Sequence, residues 1–578
     1  MFSFLSHILF TLYCLSFISV SEASNDGLDL IQLKVINDKL NLLKKKSSNS
    51  TTSNIKVGEI RGISLGGWLV TEPYITPSLY HNATEIYTSS NSSYSNLTDP
   101  IIDEHTFCEK LGYETAGKLL QAHYESFITE DDFRQISEDG FNLVRIPIGY
   151  WAWKQNNETN EYIDGVYFED PYFSNGIQLQ YLSKAIGWAS KYNLSIWVDL
   201  HGAPGSQNGF DNSGKRDLYG TPGWLSVDNS TELTLAIWND IFETYVINED
   251  QDTTPIIGIE IMNEPLSSKV SIYDITKAYY EGFGNFERLK ESNSNTTYNT
   301  TFVIHDAFEG IGHWNLEFNP QYQNVSSQYV NISDLSFKSQ DILVDHHHYE
   351  VFSDYQLANS QFRRIYDIIE YGESIFDELA YHPALVGEWS GAITDCATWL
   401  NGVGIGARYD GSYYDTTNFT TDSDITGQCT SQLSFEQWSE EYKINVRQFI
   451  EAQLATYTSQ TTGWIFWNWK TEDAIEWDYL KLKEAGLFPV PLDNYTYFNN
   501  DGSIKNSVSR SLSVSAYPKM SSTTTKTTKT TSSTKLKSLA TSLTKSTMYV
   551  TKLTTTAVSS STSVLAIMTI IAISLIWL

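Results

Sequence analysis

The sequence predicts an α/β protein: a closed, eight-stranded parallel barrel with long loops, followed by a disordered Ser/Thr-rich C-terminal stalk. Three observations predict it. Short apolar, β-branched runs recur eight times between residues 58 and 518, and amphipathic stretches separate most of them; that alternation builds a parallel sheet. The 578 residues are 41% hydrophobic and 14% aromatic, which supplies a large core and excludes a wholly disordered chain. Polar side chains stand at the downstream ends of most runs, where a barrel gathers its loops into one mouth.

The elements follow in order. Glu59–Leu65 is the first strand. An amphipathic stretch, Thr115–Ile136, precedes the second, Asn142–Pro147. The helix-like Gln178–Lys191 leads to Leu194–Leu200, and Leu233–Ile247 leads to Ile256–Met262. Thr301–His305 and Asp341–Asp345 are the fifth and sixth strands. Phe362–Leu379 precedes Ala384–Val386, and Ser439–Tyr457 precedes the eighth strand, Gly463–Phe466. Eight such units suit a TIM (β/α)8 barrel; an open, doubly wound sheet is the alternative.

Charge and cysteine content narrow the function. The net charge is −31, and the last 58 residues hold six Lys and no acid, so the acidity lies before Ser521. Such a surface repels phosphate backbones and argues against nucleic acid as a partner. Four Cys exclude a disulfide-dense miniature scaffold and a Cys-rich zinc module.

The ends indicate the secretory route. Phe2–Val20 is apolar and Ser21-Glu22-Ala23 supplies a small-residue cleavage site, so residues 1–23 read as a signal peptide; a membrane anchor is the alternative. Residues 24–57 form a polar arm containing Lys44-Lys45-Lys46. Asn-X-Ser/Thr occurs at Asn49, Asn82, Asn91, Asn96, Asn157, Asn193, Asn229, Asn295, Asn299, Asn324, Asn331, Asn418 and Asn494, as expected of a glycoprotein. Residues 519–563 are too rich in Ser and Thr to bury a core and form the stalk. Residues 564–578 are apolar to the last residue, short of the ~20 that span a bilayer; this is the layout of a GPI signal, with a short tail anchor as the alternative. The folded part is therefore 58–518.

Glu264, after the fourth strand, and Glu388, after the seventh, are the candidate catalytic pair. On this reading they stand on opposite sides of the ring. Glycoside hydrolysis needs one carboxyl to protonate the leaving oxygen and another to attack the sugar or activate water. Asn263 can bond a sugar 2-OH, and Tyr349 and Arg145 can hold a carboxylate ionised. His201 and His347 can bond hydroxyls, while Trp467 offers an aromatic floor under a pyranose. Each alone is equally a core or ion-pair residue; their common place at strand exits favours a site. His346 and His348 share one face of an extended segment, a metal-binding spacing, yet no further ligand set accompanies them. No metal is expected.

At these residues the chain resembles the fungal exo-1,3-β-glucanases of glycoside hydrolase family 5, cellulase family A. The resemblance runs through Arg61–Leu79 (RGISLGGWLVTEPYITPSL), Gly140–Ala152 (GFNLVRIPIGYWA), Asp199–Asp211 (DLHGAPGSQNGFD), Asn263–Pro265, His346–Tyr349, Gly387–Ser390, Asp395–Gly402 (DCATWLNG) and Gly463–Lys470 (GWIFWNWK). It implies a retaining hydrolase with Glu264 as acid/base and Glu388 as nucleophile, no cofactor, and β-1,3-glucan as substrate, with some β-1,6 tolerance and transfer to sugar acceptors. It also implies that Glu72 and Asp211 grip the terminal glucose, and that Phe210 and Phe352 clamp the next one. The stalk and tail place the chain in the GPI-anchored branch. Cys396 and Cys429 are expected to pair, Cys14 lies in the signal, and Cys108 is left as a free thiol or an intermolecular bridge.

The expectation is a monomeric, cell-surface exo-1,3-β-glucanase, GPI-anchored at the plasma membrane or moved to the wall, that releases glucose from non-reducing ends during wall remodelling. The competing readings are a β-1,6-glucanase, an endo-glucanase, a non-catalytic wall-glucan lectin and a structural wall protein.

Overall fold

The computed structural model describes residues 56–90, 100–293, 296–320, 330, 332–415, 420–421, 425–429, 434–499 and 503–505. The expected signal, nearly all of the polar arm, the stalk and the apolar tail lie outside these residues, as do Asn49, Asn91, Asn96, Asn295, Asn324, Asn331 and Asn418. Among the described residues, no helix is long and apolar enough to cross a membrane.

Eight parallel strands close into a barrel: β1 (Ile60–Ser64), β2 (Leu143–Gly149), β3 (Ser195–Gly202), β4 (Ile256–Glu260), β5 (Thr301–His305), β6 (Ile342–His347), β7 (Ala384–Glu388) and β8 (Gly463–Phe466). They follow round the ring in chain order. β8 returns to β1, with Ile60 opposite Gly463 and Ile63 opposite Phe466, so the open-sheet alternative does not hold.

The helices wrap the ring. α1 (Pro77–Ser90), α2 (Glu104–Ser126) and α3 (Glu130–Glu138) lie between β1 and β2. α4 (Ile177–Tyr192) follows β2, α5 (Ser230–Phe242) follows β3 and α6 (Ile272–Ser292) follows β4. α7 (Gln361–Glu378) follows β6 and α8 (Glu440–Gln460) follows β7. Side-chain caps set several starts. Asp103 accepts from the Thr106 amide at 2.6 Å, Ser360 from Arg363 at 3.2 Å and Ser439 from Tyr442 at 3.1 Å. The expected stretch Thr115–Ile136 is two helices, because Thr129 opens a new one and its amide donates to Asp132 at 2.7 Å. Between β5 and β6 the described residues form only short 3-10 turns, at His313–Leu316 and Ser339–Asp341.

The lumen explains where the site lies. Leu143, Trp197, Val303, Leu343, Leu385 and Ile465, from six strands, pack into an apolar floor. Gly258 on β4 makes room for it, since a Cβ there would lie 2.2 Å from the Trp197 indole nitrogen. Side chains two residues further along a strand share the inward face, about 6–7 Å higher. That step leads to Arg145, Asp199, Glu260, His305 and Asp345, and a second step to His201 and His347. The floor is greasy, the storey above it is ionic, and the mouth lies above both.

Cys396 and Cys429 form a disulfide with a Cα–Cα distance of 5.2 Å, as the resemblance implied. Cys108 is a free, buried thiol whose sulfur accepts the Phe173 amide at 3.4 Å.

Candidate active site

Glu388 ends β7. Strict alternation would turn its side chain outward, because Leu385 and Gly387 occupy the inward positions. The ladder shifts here: His346 pairs with Val386, but His347 pairs with Glu388, leaving Gly387 as an extra residue. Such a bulge re-aims the next side chain, and Glu388 enters the mouth. Its Oε1 accepts from Arg145 Nη1 at 2.7 Å and its Oε2 from the Tyr349 hydroxyl at 2.8 Å. Burial raises its pKa, against the pull of His347 and Arg145.

Arg145 is wholly buried, so its donors need partners. Nε and Nη2 fork onto Glu260 at 2.6 and 3.0 Å. Nη2 also meets Asn263 Oδ1 at 2.8 Å and Asp199 Oδ2 at 3.2 Å. Burial disfavours the guanidinium's charge, but Asp199, Glu260 and Glu388 outweigh burial and raise its pKa further.

Glu264 follows β4 with φ of 45°, a backbone region that strains a glutamate and that proteins keep at functional sites. Its Oε1 lies 2.9 Å from His347 Nδ1, and its Oε2 accepts from Asn212 Nδ2 at 2.8 Å. The loop after β3 fixes the turn: Asn208 Nδ2 bonds the Glu264 carbonyl at 3.2 Å, and the Asn263 amide bonds Leu200 at 3.0 Å. Burial alone would raise the Glu264 pKa, but the hydrogen bond and charge of His347 bring it down to about 2.

One atom measures the gap between the two carboxylates. His347 Nδ1 is 2.9 Å from Glu264 Oε1 and 3.4 Å from Glu388 Oε2. Those two contacts keep the two oxygens closer than the ~6.5–9.5 Å that inverting glycosidases need to admit a water, as a retaining pair requires. The expectation that strands four and seven stand opposite needs correction. β4 faces β8 across the ring and β7 is one step short of opposite, so the carboxylates do not meet along a diameter, and His347, on β6 between them, reaches both.

The other expected residues fall around this pair. His201 Nδ1 meets Asp199 Oδ2 at 2.7 Å, and Nε2 lies 3.5 Å from Asn263 Nδ2. Burial, then the Arg145 charge, lowers the His201 pKa to about 3, so the ring is neutral. Trp467 lies parallel to His201, with ring centres 5.6 Å apart, and its indole N–H donates to the Tyr74 hydroxyl. Glu72 is buried; burial first, then the Asp211 charge, raises its pKa. Burial also raises Asp211, to about 6. Glu72 Oε1 and Asp211 Oδ2 have no hydrogen-bond partner among the described residues. Phe210 is half-buried in the loop after β3, and Phe352 is 42% exposed after β6, edge-on to Tyr349 at 5.6 Å.

The histidine triplet divides as the extended strand requires. His347 enters the mouth. His346 bonds Asp306 at 2.7 Å and Glu378 at 2.6 Å, and His348 bonds the Tyr457 hydroxyl at 2.8 Å while stacking on Tyr371. Protein groups occupy both rings of the supposed metal pair.

Sequence reasoning missed the ionic storey of Asp199, Glu260 and Asp345, and missed Asn212 and His305. Counting back two residues from His201 and His347 would have found Asp199 and Asp345. Asn212 sits on a loop, where no period applies.

Comparisons with known proteins agree with this geometry. The description "Cellulase (glycosyl hydrolase family 5)" matches residues 106–403. "Glucan 1,3-beta-glucosidase 2" of Saccharomyces cerevisiae is 62% identical over 491 residues, covering 84% of this chain and 85% of that protein. The Candida albicans protein of the same name is 42% identical over 463 residues, covering 78% and 88%. Among solved structures, rutinosidase from Aspergillus niger aligns with a TM-score of 0.49 at 18% identity, over 75% of this chain and 98% of that one. A closed parallel barrel, a buried glutamate pair and this extent of identity make the chain a member of glycosyl hydrolase family 5.

Proposed function

We propose that this protein is a retaining glucan 1,3-β-glucosidase that removes glucose from the non-reducing ends of β-1,3-glucan during cell-wall remodelling. The observation that carries the proposal is the contact of one imidazole nitrogen with both Glu264 and Glu388, which leaves too little room for the water of an inverting pair and supports a retaining one. Glu388 is the nucleophile. Arg145 and Tyr349 aim its lone pairs and stabilise it as a carboxylate when it is released. Glu264 protonates the departing oxygen and then activates water; Asn263, which precedes it, and His201, 3.5 Å from the Asn263 amide nitrogen, are there to bond sugar hydroxyls.

The 62% identity to a glucan 1,3-β-glucosidase supports β-1,3-glucan as substrate. The unpartnered acceptors on Glu72 and Asp211 support recognition of a terminal glucose, since buried acceptors without protein partners suit sugar hydroxyls. An exposed Phe352 supports an aromatic contact with the next residue of the chain. Transfer to sugar acceptors follows from the same covalent intermediate when a sugar replaces water. The apolar ends, the sequons and the Ser/Thr stalk support a glycosylated, GPI-anchored protein at the plasma membrane or wall.

The test is a time course on a laminari-oligosaccharide labelled at its reducing end. The proposal expects unlabelled glucose from the first turnovers, with the label on a chain one unit shorter. Early internal fragments would overturn the exo assignment, and binding without turnover would return the lectin reading.

A further inference from the structure

Glu264 has to donate a proton, yet in the resting protein His347 holds it ionised. The nearest group able to supply that proton is His347, whose Nδ1 lies 2.9 Å from Glu264 Oε1. Resting on the assignment of Glu264 as acid, we propose that Asp345 is a positioning residue that keeps His347 protonated and aimed, so that His347 stores the proton Glu264 delivers.

The geometry carries this. Asp345 is fully buried on β6, two residues before His347 on the same face. Its Oδ2 lies 3.6 Å from His347 Nε2, and neither carboxylate oxygen has a hydrogen-bond partner among the described residues. An unpaired carboxylate in the interior is costly, so it favours the nearest available cation. The carboxylate lies against Gly387, where a Cβ would come within 2.0 Å of both oxygens. The extra residue that turns Glu388 into the mouth therefore also makes room for Asp345. On the other side of the ring, Nδ1 faces Glu264 and Glu388. His305 packs edge-on at 4.4 Å and fixes the imidazole plane.

Every charged neighbour fits the scheme. From β4, Glu260 is engaged by the Arg145 fork. From β3, Asp199 is shared between Arg145 and His201, and His201 is neutral. From β5, His305 accepts the Ala307 amide at Nδ1 and burial lowers its pKa to about 4, so it brings no rival charge. Asp345 is left with His347. Burial opposes the charge on His347, but Glu388, Asp345 and Glu264 outweigh burial and raise its pKa.

The proton balance is closed. When a sugar fills the mouth and displaces water, the ionised Glu264 loses solvation. The Nδ1–H bond of His347 breaks as Oε1–H forms on Glu264. That O–H then breaks as the glycosidic oxygen takes the proton, the C1–O bond cleaves and Glu388 bonds C1. His347 remains neutral, with its other proton on Nε2 toward Asp345. In the second half-reaction Glu264 takes a proton from water and returns one to Nδ1.

The test compares Asp345→Asn with the wild type on laminari-oligosaccharide and on 2,4-dinitrophenyl β-glucoside, whose leaving group departs without an acid. The expected result is a fall of about tenfold or more on the oligosaccharide, within the range of general-acid effects. Its alkaline kcat/KM limb should move to lower pH, and kcat/KM on the aryl glucoside, which reports the first step alone, should stay close to wild type. Equal losses on both substrates, or an unmoved alkaline limb, would overturn the relay. Glu264→Gln runs in parallel. If it fails to spare kcat/KM on the aryl glucoside, the acid assignment itself falls; if it spares it and Asp345→Asn does not, only the relay falls. A measurement on the intact protein removes dependence on how the variant folds. In 15N-histidine-labelled wild type, His347, assigned by its loss in His347→Gln, should show both ring nitrogens protonated near neutral pH. A neutral tautomer there would overturn the proposal.

Discussion

Removing the hydroxyl of Tyr349 isolates one hydrogen bond to Glu388, the proposed nucleophile. Tyr349→Phe keeps the ring, which packs 5.0 Å from Trp477 and 5.6 Å from Phe352, and leaves Arg145 on the other carboxylate oxygen. The lost contact is the 2.8 Å bond to Glu388 Oε2. A hydrogen bond to a charged group contributes ~1.5–3 kcal/mol, which at 1.36 kcal/mol per decade is about ten- to a hundredfold in rate. The direction follows from charge. Glu388 loses its negative charge as it bonds the sugar and regains it as the intermediate breaks down. A donor on Oε2 therefore assists breakdown, and its removal slows the second step more than the first. With p-nitrophenyl β-glucoside the variant should release a burst of nitrophenol and then turn over about ten- to a hundredfold more slowly. Without the donor the carboxylate also holds a proton more tightly, so the acidic limb of kcat/KM should move to higher pH. Wild-type turnover with no burst and an unmoved acidic limb would refute the reasoning.

Arg145→Met leaves Glu260, Asp199 and Glu388 buried without their cation and should cost ~3–5 kcal/mol in denaturant melts, with recovery as the pH falls and these carboxyls become neutral. The His346 cluster gives stability a pH slope. Burial disfavours charge on His346, but Asp306 and Glu378 outweigh it and raise its pKa to about 10. A raised histidine pKa contributes stability that is fully present below the unfolded value of ~6.5 and is lost as pH rises through about 10. Unfolding free energy should fall across that window in the wild type, and the decline should flatten in His346→Gln.

The barrel was legible because its strands are short β-branched runs whose ends break period: Thr301–His305 and Gly463–Phe466 have the bounds expected from sequence. α6 was not, because Gly282 and Gly284 interrupt the apolar repeat and lower helix propensity. The candidate glutamate pair was legible as polar residues after apolar strands. How Glu388 points inward was not, because a one-residue bulge at Gly387 overrides the alternation that sequence reasoning relies on. The ionic storey stayed hidden for a related reason. Asp199, Glu260 and Asp345 sit inside runs that read as apolar strand, and only a closed ring shows that their shared face is a lumen rather than solvent. The disulfide came from family resemblance alone.

The central claim is that Glu388 forms a covalent bond to glucose. Incubation with a 2-deoxy-2-fluoro-β-glucosyl fluoride, followed by proteolysis and peptide mass spectrometry, tests it directly. The account predicts one fluoroglucosyl adduct, on the peptide containing Gly387-Glu388-Trp389. An adduct on Glu264, or α-glucose as the first product with no adduct at all, would contradict it.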